Sequence, residues 1–310
     1  MNTTRLALGI KNPRLLLREA NRLFHSRLGC RSHNPNGIDV LSKDWDNLLI
    51  LDGCRYDMFR EIASPELKGT TKKEISRGSA TPEFLAANFD GNDVSDTVYV
   101  TANPQLERNA DHVNANFHAT EQVWLDEGWD EKWGTVLPET ITEHAKEAIV
   151  SYPNKRLIVH YMQPHYPFIT DSTTEDKEFL NQASPQGKHI WLRYETGDST
   201  TSIEVTKAAY YDNLRRTLPH IQKLVDALDG RTVITSDHGN MLGERSTPIP
   251  IKQWGHPSRT YTPELIEIPW HVIDDDEERK IVAEDETNNE TDVEQSVVED
   301  RLSQLGYLEE

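Results

Sequence analysis

The stretch Thr232–Glu244, TVITSDHGNMLGE, is where the fold and the chemistry of this chain are both read most directly. Thr232–Thr235 is a short apolar, β-branched run of the kind that forms a strand covered on both faces. It stops at Ser236, and Asp237 and His238 follow at once. A carboxylate and an imidazole side by side at a strand end offer one oxygen and one nitrogen to the same divalent cation. A turn with a capping aspartate and a solvent-facing histidine is the competing use of the same pair.

Working outward, three more runs have the same character: Asn47–Leu51, Thr97–Val100 and Leu157–Tyr161. Helical patterns lie between them, including Glu139–Val150 and Ala208–Leu228. Strands alternating with helices over this length predict an α/β fold, a doubly wound and mostly parallel sheet with helices on both faces. In such sheets the site lies beyond the carboxyl ends of the strands. Those ends are therefore the places to inspect.

The first run ends in Asp52-Gly53-Cys54-Arg55-Tyr56-Asp57. Asp52 stands where a hard-metal ligand would, Gly53 permits a sharp turn, and Asp57 falls in the first turn of a following helix. Farther on, Thr81-Pro82 has the form of an N-cap followed by proline at the first helical position. A hydroxyl there sits in the positive field of a helix, which suits an alkoxide nucleophile; a simple capped helix is the alternative. The third run leads into His160-Tyr161-Met162-Gln163-Pro164-His165-Tyr166-Pro167, a proline-stiffened loop whose His165 is placed to assist a leaving oxygen. His256 precedes Glu264–Trp270, where a further strand is expected, and reads as a ligand or a substrate contact.

Composition bounds the partners. A formal charge of -19 excludes nucleic acid, whose phosphates need Lys and Arg, and matches the solvated acidic surface of salt-adapted proteins. The charge is uneven: Asp274–Glu310 holds 15 acidic and 3 basic residues, whereas the first 32 residues are basic. Pro13–Leu28 reads as a basic amphipathic helix, with Leu16, Ala20, Leu23 and Phe24 near one face and Arg14, Arg18 and Arg22 on the other. Its two uses are packing on the domain or peripheral attachment to an anionic membrane. The chain divides into a basic N-terminal helical extension (1–40), a catalytic domain (41–273) and an acidic C-terminal tail (274–310). Within the tail, Val297–Leu308 suggests a short docking helix, and the polar segment Asp171–Ile203 reads as a surface excursion. Two cysteines make no disulfide framework, and Cys54 reads as a packing residue. No apolar run is long enough to span a bilayer and no secretory signal is legible, so the expected location is cytoplasmic, with attachment at the inner membrane face.

Taken together, the segments TVITSDHGNMLGE, GH…ELIEIPWHV after it, PHYP at Pro164–Pro167 and YYDNLRR at Tyr210–Arg216 resemble the alkaline phosphatase superfamily and its sulfatase branch. The resemblance covers about Asp46–Val272, with a further likeness at Leu302–Leu308. It implies an alkaline phosphatase-like fold and one divalent metal held by Asp52, Asp237 and His238. It implies that the Thr81 hydroxyl completes the metal shell and acts as nucleophile, as in the phosphoethanolamine and phosphoglycerol transferases, with Ser79 as the alternative. His165 and His256 would bind the ester or assist the leaving group. The chain lacks the C-x-P-S-R motif from which sulfatases make formylglycine, and Gly53 stands where many sulfatases have a second aspartate. Zn or Mn suits the mixed ligand set, with Ca or Mg as alternatives. The implied activity is hydrolysis of a phosphate or sulfate ester through a covalent threonine intermediate. The alternatives are group transfer to a glycan or lipid, and a binding homologue that has lost catalysis. The partner would be an anionic ester, such as a glycan or glycolipid.

Overall fold

The computed structural model describes residues 13–125, 128–169, 189–275, 279–283 and 293–307. Its strands are β1 (Asn47–Leu51), β2 (Thr70–Ile75), β3 (Asp93–Thr101), β4 (Asn116–Gln122), β5 (Trp129–Asp130), β6 (Thr135–Val136), β7 (Arg156–Tyr161), β8 (Thr232–Thr235), β9 (Met241–Arg245), β10 (Lys252–Gly255) and β11 (Glu267–Ile273). The helices are α1 (Pro13–His25), α2 (Tyr56–Ile62), α3 (Thr81–Phe89), α4 (Gln105–Arg108), α5 (Pro138–Ser151), α6 (Ile190–Thr196), α7 (Ile203–Val225), α8 (Pro263–Ile266) and α9 (Gln295–Gln304).

The main sheet has seven strands in the order β2-β11-β8-β1-β7-β3-β4. β8, β1, β7, β3 and β4 run parallel, while β11 is antiparallel to both β8 and β2. This is a mixed, mostly parallel α/β sheet. The continuous apolar run of β1 has a simple cause. Leu49 and Leu51 face one core, with Phe59 of α2, Ala145 of α5, Leu214 of α7 and Leu302 of α9. Leu48 and Ile50 face the other, with Trp45 and with Phe84 and Phe89 of α3. Because both faces are covered, neither set of alternate positions is free to be polar.

The strands that sequence reading did not find are those with water on one side. β2, TTKKEI, is an edge strand with no buried residue, and its charges discourage pairing with another chain. β4, NFHATEQ, closes the opposite edge and is buried only at Phe117, His118 and Ala119. The β9–β10 hairpin lies outside the main sheet. β3 begins four residues before the expected Thr97, and β11 begins after a turn of helix, α8, inside the segment expected to be strand.

At the N-terminus α1 ends at His25, short of the expected Leu28, because Arg27 and Leu28 take left-handed φ values of 51° and 58°. Its polar side meets the body. Asn21 exchanges two hydrogen bonds with the Ile249 backbone, each 2.9 Å, and His25 contacts the Thr247 carbonyl at 2.8 Å. Near the C-terminus α9 packs Val298 and Leu302 into the first core, joined by Leu305 just beyond it. Leu308, most of the Asp171–Ile203 excursion and much of the acidic tail lie outside the described residues.

Leu49 has no solvent exposure and sits on the central strand. Leu49→Ala is expected to cost about 3 kcal/mol of unfolding free energy in urea titrations, by lost transfer energy and the cavity left behind.

Candidate metal centre

Four parallel strands deliver the site. Asp52 follows β1, Asn103 follows β3, the Pro164–His165 loop follows β7, and Asp237 and His238 follow β8. In the sheet these strands lie side by side as β8-β1-β7-β3, so residues far apart in sequence meet at one edge. Register continues past the strands: the Asp52 N–H donates to the Tyr161 carbonyl at 3.1 Å. Gly53 takes φ +65°, which turns the chain so that its N–H donates to Asp237 Oδ1 at 3.0 Å. Gly239 is required for a different reason. A Cβ there would lie 2.1 Å from the Glu264 carbonyl oxygen, and the Gly239 N–H donates to the Leu265 carbonyl at 2.7 Å. The Asp-His-Gly turn is thereby seated on the Glu264–Trp270 segment.

Asp237 Oδ2 accepts a hydrogen bond from Thr81 Oγ1 at 2.7 Å and lies 3.3 Å from His238 Nε2. Asp52 Oδ1 lies 3.6 Å from the same nitrogen. His238 Nδ1 is 2.7 Å from the Gly239 carbonyl. A carbonyl only accepts, so Nδ1 donates there and Nε2 is the ring nitrogen that faces the carboxylates. The arrangement brings together Asp52, Thr81, Asp237 and His238, the residues proposed from sequence. It adds His160, whose ligand nitrogen lies with oxygens of Asp52 and Asp237 in a cluster spanning no more than 4.8 Å.

Whether this set fits a metal is decided by its charge and its unused atoms. Asp52, Thr81, Asp237, His238 and His160 are all fully buried. No lysine or arginine pairs with either carboxylate among the described residues. Asp52 Oδ1 and His160 Nε2 have no hydrogen-bond partner. Burial drives the Asp52 carboxyl well above the usual range, and the Asp237 charge adds to the shift against hydrogen bonds from Tyr307, Asn103 and Thr81. Burial opposes ionisation of Asp237 too, but His238, His160 and the hydrogen bonds from Gly53 and Thr81 hold it below the usual range. Two buried carboxylates with orphaned lone pairs and no cation of their own fit a divalent ion.

Thr81 departs from its expected local role. Ala80 is the cap residue of α3 and Thr81 is the first residue inside the helix. Its hydroxyl accepts from no cap N–H and instead donates to the Asp237 carboxylate. Ser79 is placed differently. Its hydroxyl is 2.9 Å from Glu83 Oε2 and 3.1 Å from the Pro257 carbonyl, and it accepts from the Thr260 N–H at 3.1 Å. It pins the loop and does not face the carboxylates.

His165 and His256 face each other, Nε2 to Nε2, at 2.8 Å. His165 Nδ1 donates to the Tyr166 carbonyl, so in the neutral pair His256 Nε2 carries the shared proton. Burial first, then the neighbouring His238, pushes His165 down to about 3 and His256 well below its ordinary value. Both rings are therefore neutral near pH 7. The loop that carries His165 is held by Asn213 of α7, whose side-chain amide lies 3.1 Å from each of the His165 and Pro167 carbonyls. Tyr210, one helical turn earlier, donates to the Gly53 carbonyl. The YYDN segment thus braces the loops after β1 and β7, a job that its sequence did not reveal.

Three residues at the centre carried no role in the sequence reading. His160 lay inside a quoted strand, and only its position at the strand end hinted at use. Asn103 donates to Asp52 Oδ2 at 2.6 Å and follows β3 as Asp52 follows β1. Tyr307 gave no signal, because it lies 255 residues from its partner. Its hydroxyl donates to Asp52 Oδ2 at 2.8 Å and lies 3.5 Å from Thr81 Oγ1, and its ring stacks on His165 at 4.9 Å. Arg55, beside the site, pairs with Asp57 and Glu244 and holds the Asn240 carbonyl, so Asp57 is an ion-pair partner and not a ligand.

No protein family and no curated protein matches the sequence. Solved structures of similar shape do exist. One is the C-terminal periplasmic domain of the phosphoethanolamine transferase EptC from Campylobacter jejuni, at 15% identity, 74% of this chain, 78% of that one and TM-score 0.49. Another is the zinc complex of the corresponding Escherichia coli domain, at 12% identity, 78% and 76% coverage and TM-score 0.46. A third is the phosphonate monoester hydrolase SpPMH from Silicibacter pomeroyi, at 12% identity, 84% and 72% coverage and TM-score 0.42. By their descriptions the first is a domain of a phosphoethanolamine transferase and the third is a phosphonate monoester hydrolase. They also correct the expected cytoplasmic location, since two of the three are periplasmic domains. Among the described residues, no helix is long and apolar enough to cross a membrane.

The buried charge predicts a reversal that thermal melts will detect. In chelator, Asp52→Asn is expected to raise the melting temperature by removing an uncompensated buried acid. With zinc or manganese added, the wild type should gain several degrees and the variant little or none. A variant stabilised by the ion as much as the wild type would exclude Asp52 as a ligand.

Proposed function

We propose that this chain is a metal-dependent enzyme that cleaves phosphate or sulfate esters through a covalent intermediate on Thr81, as a hydrolase or as a transferase to an acceptor hydroxyl. The observation that carries the reading is the Thr81 hydroxyl, 2.7 Å from Asp237 Oδ2 and 3.3 Å from His238 Nε2, on the first turn of α3. Asp52, Asp237, His238 and Thr81, with His160 beside them, would hold one divalent ion. When bound, that ion would lower the pKa of the hydroxyl and neutralise the ester oxygens. Zinc or manganese suits the mixed oxygen and nitrogen donors.

The residues divide the rest of the work. Asp237 Oδ2 is positioned to take the Thr81 proton as the Thr81 Oγ–P or Oγ–S bond forms and the bond to the leaving oxygen breaks. The His165–His256 pair holds one proton between its two Nε2 atoms. It can therefore hydrogen-bond a non-bridging ester oxygen or hand that proton to the departing alkoxide. Neutral imidazoles suit this role, because an alkoxide is basic enough to take a proton from them. Water or an acceptor alcohol then attacks the Thr81 ester and restores the hydroxyl. Phosphate is favoured over sulfate because the chain has a threonine here and no formylglycine motif.

Asn103 and Tyr307 position Asp52 by filling the Oδ2 lone pairs, which leaves Oδ1 directed at His238. The site is closed, with no member more than 5% exposed. A substrate therefore reaches Thr81 only after the Tyr307 and His165 rings shift.

Thr81→Ala is expected to abolish turnover of aryl phosphate, phosphodiester and sulfate esters, a loss of about a thousandfold or more, while ion binding persists through the remaining ligands. Quenching the wild type during turnover should give a phosphoryl or sulfuryl adduct on the Thr81 peptide by mass spectrometry. Unimpaired turnover in the alanine variant would remove Thr81 as nucleophile. Tyr307→Phe is expected to weaken ion binding about tenfold with little change in melting temperature in chelator, because the ring stays and only the hydroxyl's bonds, to Asp52 and from Asn103, are lost.

A further inference from the structure

The N-terminal helix is docked inside out. Its Asn21, His25 and Arg18 side chains meet the body, through the Ile249 and Thr247 backbone and Glu195. Leu16, Leu17, Ala20 and Phe24 look away from it, and Leu28 continues the stripe past the end of the helix. Of the six large hydrophobic residues exposed among the described residues, four are here: Leu28 at 81%, Phe24 at 59%, Leu16 at 43% and Leu17 at 39%. None of them joins either core. An amphipathic helix whose only purpose was to stabilise the domain would bury this stripe.

Charge says what covers it. The chain carries -19, yet Arg14, Arg18, Arg22, Arg27 and Arg31 stand against a single acid, Glu19, over the residues 13–32 that hold the stripe. Arg22 is neutralised by Glu19 at 2.5 Å and Arg18 leans 3.9 Å from Glu195. Arg14 and Arg27 are exposed at the two ends of the stripe. An apolar face flanked by arginines matches the boundary between acyl chains and anionic headgroups, where side chains of this kind insert while their cations remain at the phosphates. The acidic remainder of the protein is repelled by the same surface. Binding is thereby confined to one edge and one orientation.

The geometry points to α1 and the turn after it, Pro13–Leu28, as a peripheral docking surface for an anionic lipid bilayer. This surface stands apart from the Thr81 chemistry, and its test does not involve turnover. The full chain is floated with phosphatidylcholine vesicles, with and without phosphatidylglycerol, over a range of salt concentrations. Binding is expected only with phosphatidylglycerol, and it should weaken as salt shortens the range of the attraction. Phe24→Glu is expected to reduce partitioning about tenfold or more. Arg14→Glu combined with Arg27→Glu should do the same, and melting temperatures should stay within a few degrees because these side chains are exposed. Absence of binding to phosphatidylglycerol vesicles at low salt would overturn the assignment, as would binding that Phe24→Glu leaves unchanged. Self-association of the wild type in sedimentation velocity that Phe24→Glu abolishes, without lipid binding, would assign the stripe to a second copy of the chain.

Discussion

Two carboxylates, Asp52 and Asp237, are buried with no lysine or arginine to balance them among the described residues, and the surrounding structure is arranged around that constraint. Like charges at this depth do not persist unless something positive stands between them or one of them takes a proton. Several polar groups are turned toward one of the two. Gly53 and His238 give backbone N–H groups to Asp237, Thr81 gives its hydroxyl, and Asn103 and Tyr307 close on Asp52. These donors reduce the cost without cancelling it, and the oxygen left over on Asp52 lies 3.6 Å from His238 Nε2. A divalent cation is the one addition that answers the charge and the unused lone pairs together.

The sheet makes this concentration of charge achievable. Parallel strands covered on both faces end in the same direction, so the loops after β8, β1, β7 and β3 meet without any of them being long. The apolar strands are also the stiffest part of the molecule to displace, since each apolar residue of β1 is packed in one core or the other. α7 adds a second level of support through Tyr210 and Asn213, which tie the loops after β1 and β7 to one rigid helix. Catalytic geometry needs this kind of support, because a displacement of about 1 Å at a reacting atom is enough to cost two orders of magnitude in rate.

The two ends of the chain relate to this centre in opposite ways. The C-terminal helix brings Tyr307 into the site itself, with apolar anchors at Val298, Leu302 and Leu305 buried in the main core. The N-terminal helix attaches through polar contacts and keeps its apolar residues outside. One terminus completes the interior, whereas the other leaves an apolar surface facing outward.

The central strands and the Asp237-His238 turn were legible in the sequence because a strand buried on both faces must be continuously apolar, and a polar residue at its end is then conspicuous. The edge strands β2 and β4 were not legible, since one side of each meets water and their composition looks like loop. Thr81 was recognised by its place before Pro82, yet its hydrogen bond to Asp237 and the commitment of the Ser79 hydroxyl to Glu83 emerged only from the packing of α3. Asn103 and Tyr307 carry no local signature, because a hydrogen bond to a buried carboxylate is set by distance in space, and His160 had only its place at a strand end. The sequence by itself determined the α/β class, the carboxylate and imidazole donors, and the basic, apolar character of α1. Tertiary structure alone decided which donors come together and which side of α1 is left facing out, because both depend on surfaces contributed by segments remote in the chain.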